Sequence, residues 1–316
     1  MFETVWTLAT DAIYKLAILG AFFALAGLMF RRPGRSDRRR RKWPEVRLNL
    51  AYYGIDVAAI TPVMALLAAT IATFSPNLVS PAVYGDWPGW AVLLFAVVVS
   101  DFVGYGRHRL MHIRALWPFH AIHHSDTEMT WLTLARFHPV NRLITTICNA
   151  LVLTLLGLPP WAVVVNALFR HFYGYFIHAD LPLGYGPLRR LLVSPELHRW
   201  HHARDVTGSG KNFGAVFAIW DIAFGTWYMP KERPPALGVS EDGFPQDWLG
   251  QTLWPFRTGW PFRAGPGRNT GLAAPGYSTW LSRRRNLLAF LGVCLGVSTA
   301  YYAGLHYSAA AAVFTS

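Results

Sequence analysis

Five stretches of the chain are almost entirely apolar, and polar segments separate them. They cover residues 12–30, 50–74, 90–105, 143–176 and 286–307. A helix needs about 20 apolar residues to cross a hydrocarbon core of ~30 Å, so these stretches predict membrane-spanning helices. The fourth stretch is broken by Gly-Leu-Pro-Pro at 157–160, which predicts a hairpin of two helical arms and leaves open whether it crosses fully. The pattern predicts an all-α fold, a polytopic transmembrane helical bundle.

Basic residues flank two of these stretches. Residues 31–42 hold eight basic residues and one acid, and three arginines at 283–285 precede the last stretch. Such loops stay on the cytoplasmic side of a membrane. A basic run can also bind nucleic acid, but its position directly after an apolar stretch favours a topology signal, and we expect no nucleic-acid partner. This orientation predicts that a histidine-rich cap lies at the cytoplasmic face.

Composition supports a membrane protein. Apolar residues make up 53% of the 316 positions, charged residues only 15%, and the formal net charge is +12. The mean hydropathy is +0.25, and soluble domains usually carry more charge. There are two cysteines, Cys148 and Cys294. They are too few for a disulfide framework, a cysteine-ligated iron–sulfur cluster or a thiolate zinc site.

Eleven of the twelve histidines fall between positions 108 and 202, and most of them form three motifs. The motifs are one HxxxH and two HxxHH, with histidines at His108 and His112, at His120, His123 and His124, and at His198, His201 and His202. On a helix, residues i, i+3 and i+4 share a face. Imidazole is a good ligand for zinc, copper, iron and nickel. Eight imidazoles are too many for one ion, so the motifs predict two metal ions.

These motifs and their surroundings carry a family resemblance. The matching stretches are DFVGYGRHRLMH at 101–112, FHAIHHS at 119–125, RFHP at 136–139, FIHAD at 176–180, SPELHRWHH at 194–202, NFG at 212–214 and WDIAFGT at 220–226. Together they resemble the fatty acid hydroxylase/sterol desaturase superfamily, and the compact chain resembles a bacterial member. The resemblance implies a helical transmembrane fold, two Fe ions (with Zn as a substitute) and O₂ as co-substrate.

The resemblance also implies the ligands. They would be the eight motif histidines together with His178 and His138. His138 lies in a His-Pro element that only some members share, so it is either a ligand or a neighbour of one. The family often has a third HxxxH pair, but Gly174 stands where its first histidine would be. His171, seven residues before His178, could substitute for it.

Four polar residues besides His171 are predicted to support the ligands. Asp101 lies seven residues before His108 and is expected to orient an imidazole through its ring N–H. Asp180 and Asp221 could do the same or pair with nearby arginines. Asn212 and Asp221 could instead brace the loop that follows the last motif.

We expect three regions. Residues 1–89 would hold N-terminal transmembrane helices and the basic loop, residues 90–260 the catalytic domain, and residues 261–316 a linker and a C-terminal transmembrane helix. The expected activity is O₂-dependent hydroxylation of a lipid C–H bond in a multi-pass protein of the bacterial inner membrane. The lipid could be a polar aminolipid such as ornithine lipid, or a fatty acyl, sterol or carotenoid compound.

Electrons would come from a separate ferredoxin-, cytochrome- or reductase-type donor, since no haem, flavin or cysteine-cluster motif is visible. Three alternatives remain open at this point. A desaturase of the same family shares the first hydrogen abstraction. A membrane metal transporter would place its histidines near the bilayer midplane. A membrane zinc hydrolase would need fewer ligands.

Overall fold

The computed structural model describes residues 38–204, 210–240 and 243–257, together with 17, 19–22 and 24. This part is predominantly helical, and it contains no strand, only isolated bridges between Leu192 and Phe217 and between Ala203 and Leu237. The predicted all-α fold is therefore confirmed for the described residues. The apolar stretch at 286–307, the arginines at 283–285 and most of the stretch at 12–30 lie outside them.

One long helical rod forms the first described element. It consists of α1 (Arg38–Ile55), a π-helical turn (Asp56–Ile60) and α2 (Thr61–Phe74). The π turn ends two residues before Pro62. Proline has no backbone N–H, so one of the α-helical hydrogen bonds is missing here. The helix thus begins earlier than the predicted 50–74 stretch and takes in part of the basic run.

Two further long elements surround the site. Helix α3 (Gly89–Met111) covers the predicted stretch at 90–105 and ends at His112. The predicted hairpin is present as α5 (Pro139–Leu155) and α6 (Pro160–His178). Gly157 makes the turn with a φ of +64°, and a Cβ there would lie 2.1 Å from the Val79 carbonyl oxygen. Helix α5 packs against α2 and α3, and α6 packs against α3.

Four short α-helices complete the described part. They are α4 (Trp117–His124), α7 (Pro195–His201), α8 (Ile219–Ala223) and α9 (Trp248–Arg257). Histidines lie on α4 and α7. Helix α7 starts with a serine cap: the Ser194 hydroxyl accepts a hydrogen bond of 3.1 Å from the Leu197 amide. Pro195 follows at the first helical position, where its lack of an N–H costs nothing. These features fix the start of α7, whose histidines are buried.

Among the described residues, two helices are long and apolar enough to cross a membrane, by length and composition. They are Trp43–Phe74, with a mean hydropathy of 2.0, and Gly89–Met111, with 1.7. None of the most apolar window of the first helix is buried within the protein, whereas 44% of that of the second is. An exposed apolar surface of this size needs a membrane or a partner.

Candidate metal centre

Nine buried histidines form two adjacent groups. In each group, the candidate ligand atoms all lie within 4.8 Å of one another. The first group has five members: His108, His112, His120, His124 and His201. The second has four: His123, His178, His198 and His202. The groups touch, since the rings of His124 and His202 are stacked with centroids 4.4 Å apart.

Each HxxHH motif supplies ligands to both groups. In α4, the i and i+4 residues His120 and His124 join the first group, and the i+3 residue His123 joins the second. The motif in α7 is divided the other way: His198 and His202 join the second group, and His201 joins the first. The spacing therefore does more than place three rings on one face. It divides them between two neighbouring ligand sets.

The distances between ring nitrogens fit metal coordination. The Nε2 atoms of His108 and His120 are 3.0 Å apart, and those of His178 and His123 are 3.1 Å apart. The Nε2 atoms of His198 and His178 are 3.0 Å apart. Two imidazoles on one ion, with bonds of about 2.1 Å at angles of 90–109°, have nitrogens about 3.0–3.4 Å apart. A cation between these nitrogens therefore fits the spacing.

Backbone carbonyls fix which nitrogen of several rings carries the proton. The Nδ1–H of His108 donates to the Phe213 carbonyl at 2.9 Å, and that of His201 donates to the Lys211 carbonyl at 2.7 Å. His178 donates in the same way to Gly174 at 2.6 Å. The Nε2 lone pairs of these rings therefore point into the groups. In the second group, the Nε2 lone pair of His178 faces the Nε2 atoms of both His123 and His198, and a metal ion among them could be bound by all three rings.

Other ring nitrogens are buried without a hydrogen-bond partner among the described residues. The Nε2 atoms of His112 and His201 are two of them. Burying a polar atom with no partner costs free energy, so orphaned acceptors that converge on one point indicate a missing ligand. The donor set, entirely neutral nitrogen, suits iron or zinc.

Burial keeps these imidazoles neutral. It lowers the pKa of His201 to about 4, although the hydrogen bond to Lys211 acts in the opposite direction. Burial also lowers the pKa values of His124, His198 and His202 well below the usual range, and the neighbouring imidazoles lower them further. Because only a neutral imidazole can bind a metal, the site is competent for coordination at neutral pH.

Two aspartates hold the loop that carries the carbonyls of Lys211 and Phe213. The Asp221 carboxylate accepts hydrogen bonds from the Phe213 and Gly214 amides at 2.7 and 2.9 Å. Asp101, in α3, accepts from the amides of Val216 and Phe217 and from the indole of Trp220. Asp101 therefore acts on the loop, in contrast to the expected direct contact with an imidazole.

Asn212 also braces this loop. It adopts a φ of +58°, and its side-chain amide donates to the carbonyls of Leu197 and Tyr228 at 3.2 and 2.7 Å. It thus ties the loop to α7, next to the histidines. Asp180 pairs with Arg199 and Arg233 at 2.8 and 2.9 Å and is a member of neither group.

Two histidines named from the sequence lie outside both groups. His138 caps α5: its Nδ1 accepts from the Val140 amide at 3.0 Å, and its Nε2 lies 3.1 Å from the Thr252 carbonyl. With both nitrogens occupied, it has none left for a metal, so the prediction that His138 is a ligand is not supported. The ring of His171 packs edge-on against Tyr175. At Gly174, a Cβ would meet Leu134 at 3.0 Å.

Sequence reasoning missed several contributors. Asn141 contacts the Nδ1 of His120 at 3.1 Å, and the ring of Phe137 stacks on that of His123 at 4.3 Å. The carbonyls of Lys211, Phe213 and Gly174 were missed because every residue carries one. One feature of the sequence indicates Asn141: it is a polar residue three positions after His138 in a largely apolar helix.

Comparison with known proteins agrees with this centre. A family model described as fatty acid hydroxylase matches residues 93–226. Ornithine lipid hydroxylase OlsE of Rhizobium tropici is 31% identical over 206 residues, which is 64% of this chain and 62% of that protein. An alkylglycerol monooxygenase of Caenorhabditis elegans is 29% identical over 183 residues, which is 53% of this chain and 36% of that protein. No solved structure matches the chain significantly.

A plant relative extends the range of named substrates. Methylsterol monooxygenase 2-1 of Arabidopsis thaliana is 29% identical over 158 residues, which is 44% of this chain and 58% of that protein. The chain thus spans less than two thirds of the length of each of these three relatives. The matched segment 93–226 contains all nine grouped histidines. Through this segment, the chain is similar to the fatty acid hydroxylase family.

Proposed function

We propose that this protein is an O₂-dependent di-iron membrane oxygenase that hydroxylates a C–H bond of a lipid. The observation that carries the proposal is the pair of adjacent histidine groups. One group has five members and the other has four, and all nine side chains are buried. The relatives support a lipid substrate, since their names specify an ornithine lipid, an alkylglycerol and a methylsterol.

Iron is the metal that suits the proposed reaction. Imidazole also binds zinc, but zinc has no redox chemistry, whereas hydroxylases and monooxygenases need a metal that changes oxidation state. When bound, the two irons would supply the activation of O₂. Zinc is then expected only as a substitute in purified material.

The protein orients the ligand rings and keeps water away from them. Carbonyls of the 211–213 segment and of Gly174 hold three rings with Nε2 directed inward. Phe137 covers one face of the His123 ring, and Phe213 packs edge-on against His108 and His112. These aromatic walls exclude water, which protects a reactive centre from side reactions.

The membrane arrangement is also part of the proposal. The apolar rod and α3 would cross the bilayer, and the hairpin of α5 and α6 would complete a multi-pass bundle with the domain limits predicted from the sequence. The basic run at 31–42 would hold the metal centre at the cytoplasmic face of a bacterial inner membrane. A separate ferredoxin-, cytochrome- or reductase-type protein would deliver the electrons.

The decisive test compares lipid extracts of cells that express the chain or its His123→Ala variant. We expect a lipid that gains the mass of one oxygen atom only with the unaltered chain and only in air. Protein purified without oxygen should hold about two irons per chain. A product lacking two hydrogens would indicate a desaturase. One zinc per chain and activity without O₂ would indicate a hydrolase and overturn the proposal.

A further inference from the structure

Four arginines lie on the helices α3, α5 and α6, which adjoin the metal centre. They are Arg107 and Arg109 in α3, Arg142 in α5 and Arg170 in α6. Arg109 donates to the Tyr105 hydroxyl at 2.9 Å. Arg142 is fully paired, since its Nε and one terminal nitrogen contact the two carboxylate oxygens of Asp56 at 2.9 and 2.6 Å. Arg107 and Arg170 differ from Arg142, because each keeps a buried guanidinium nitrogen without a hydrogen-bond partner.

Arg107 forms no ion pair with any described residue. One terminal nitrogen donates to the Asn141 side-chain oxygen at 3.2 Å, and the Nε is buried without a partner. Asn141 in turn contacts the Nδ1 of His120 at 3.1 Å. Two hydrogen bonds therefore separate the Arg107 guanidinium from an imidazole of the first group.

Arg170 reaches the same side of α3. Its guanidinium lies against the backbone of Gly104, where a Cβ would come within 2.5 Å of a terminal nitrogen. Gly104 is one turn before Arg107. The other terminal nitrogen of Arg170 is buried without a hydrogen-bond partner, yet its side chain retains 16% exposure. The Arg170 guanidinium is thus largely enclosed but still partly accessible.

The carboxylate closest to Arg170 is already engaged. Asp101 lies 3.7 Å from Arg170, which is beyond hydrogen-bond distance. Its two oxygens accept hydrogen bonds from Val216, Phe217 and Trp220 at 2.8–3.1 Å. The one carboxylate near Arg170 is therefore already engaged by other donors, and Arg107 has no carboxylate partner among the described residues. A buried charge with so little compensation is costly, and within a membrane protein such a charge indicates a functional site.

We propose that Arg107 and Arg170 bind an oxyanion, a carboxylate or a phosphate, of the lipid substrate. The proposal rests on the proposed function and restricts it to lipids with an acidic group. Guanidinium N–H groups are well suited to carboxylate and phosphate oxygens. Because Arg107 is linked to His120 through Asn141, the acidic group would lie beside the metal centre, and sterols or other uncharged lipids would be poor substrates.

A binding experiment tests this without turnover. The full chain in detergent is titrated with N-palmitoylglycine, with its methyl ester and with inorganic phosphate. The first two share tail and amide and differ only in charge. We expect the free acid to bind about 10- to 100-fold more tightly than the ester, the range for charge-assisted hydrogen bonds. Equal affinities would overturn the proposal, and so would phosphate that displaces the acid at equal concentration.

Variants locate the site. Arg107→Gln and Arg170→Gln should each lose most of the preference for the acid, and Arg170→Lys should keep part of it. Gly104→Ala should weaken it by displacing the Arg170 guanidinium. The exposed Arg189→Gln is the matched control and should behave as the unaltered chain. A preference that survives both glutamine variants would contradict the assignment.

Two readouts separate this proposal from the oxygenase proposal. Metal content of each variant shows whether the centre is intact, and a glutamine variant that fails to hold two metal ions is replaced by the lysine variant at the same position. If the acid is preferred but no lipid is oxidised, the anion site stands and the oxygenase function fails. If lipids are oxidised but charge has no effect on binding, the anion site fails alone.

Discussion

His123 and His138 are both buried, and they differ in what their ring nitrogens contact. The Nε2 of His123 lies 3.1 Å from that of His178, which has its own proton on Nδ1. His138 uses one nitrogen as a helix cap and the other for the Thr252 carbonyl. Residue type and burial alone do not distinguish a ligand from a structural histidine. A histidine whose two ring nitrogens both bond to backbone groups is structural, whereas a ligand keeps one nitrogen directed at other imidazoles.

This contrast gives a matched pair of variants. His123→Ala removes one of only four ligands of the second group, so we expect at most one metal ion per chain and a loss of activity of at least about 100-fold. His138→Ala should keep two ions, because it removes a helix cap at a cost of about 1 kcal/mol. Metal analysis and thermal unfolding would measure both. Two retained ions in His123→Ala would refute its role.

A second prediction concerns pH. An unfolded chain protonates its histidines near pH 6.5, whereas the folded chain keeps His201 neutral down to about pH 4. The folded state therefore binds fewer protons in this window, so the free energy of unfolding should fall as pH drops from about 6.5 to about 4. The loss is about 1.4 kcal/mol per pH unit for each such histidine.

Thermal unfolding of the metal-free protein in detergent at several pH values checks this. The midpoint should fall steeply below pH 6.5, and zinc should shift the fall to lower pH because metal and protons compete for the same nitrogens. A midpoint that is constant from pH 7.5 to pH 5 would show that these imidazoles are not buried in neutral form.

At the scale of elements, the loop after α7 joins two distant parts of the site. It supplies the carbonyls that orient His108, on α3, and His201, on α7. Its own conformation depends on the Asp221 carboxylate, which accepts from two successive amides. A change at Asp221 should thus reach the first group without contact with any histidine.

Asp221→Asn tests this coupling. The amide places an NH₂ group against one of two N–H donors, so one hydrogen bond is lost and the loop loosens. We expect metal affinity at the first group to fall about 10- to 100-fold, as for other residues that orient ligands. Chelator competition would measure it. Asp86→Asn, at an exposed position before α3, is the control, and equal effects in the two variants would contradict the prediction.

Some helices could be predicted from the sequence and others only in part. Apolar length predicted α3 and the hairpin with its break at 157–160, because these features are local. The start of α1 within the basic run was not predicted, since a run of arginines reads equally well as loop or helix. The division of each HxxHH motif between two groups also escaped prediction, because it depends on how α4 and α7 face each other.

At the scale of the whole molecule, the apolar rod is the most exposed feature. Leu66 is 70% exposed, Val63 59% and Phe74 82%. The described part of the chain offers nothing that covers them. A helix so apolar and so exposed is explained by contact with lipid.

Leu66→Lys examines that explanation. A lysine at the centre of a membrane helix costs about 2.5–3.5 kcal/mol on insertion scales, so we expect a smaller membrane-integrated fraction after alkaline extraction. Leu66→Ala should integrate almost as well as the unaltered chain. If the lysine variant resists extraction equally, the rod does not lie in the hydrocarbon core at this position.

In each HxxHH motif, consecutive residues serve different metal positions: His123 and His124 in α4, His201 and His202 in α7. The backbone of each short helix therefore couples the positions of the two ligand sets. An ion bound in one set would order residues of both helices, so a second ion would find its ligands in place at a lower entropic cost. The two sets would thus fill together, as the site of one dinuclear cofactor.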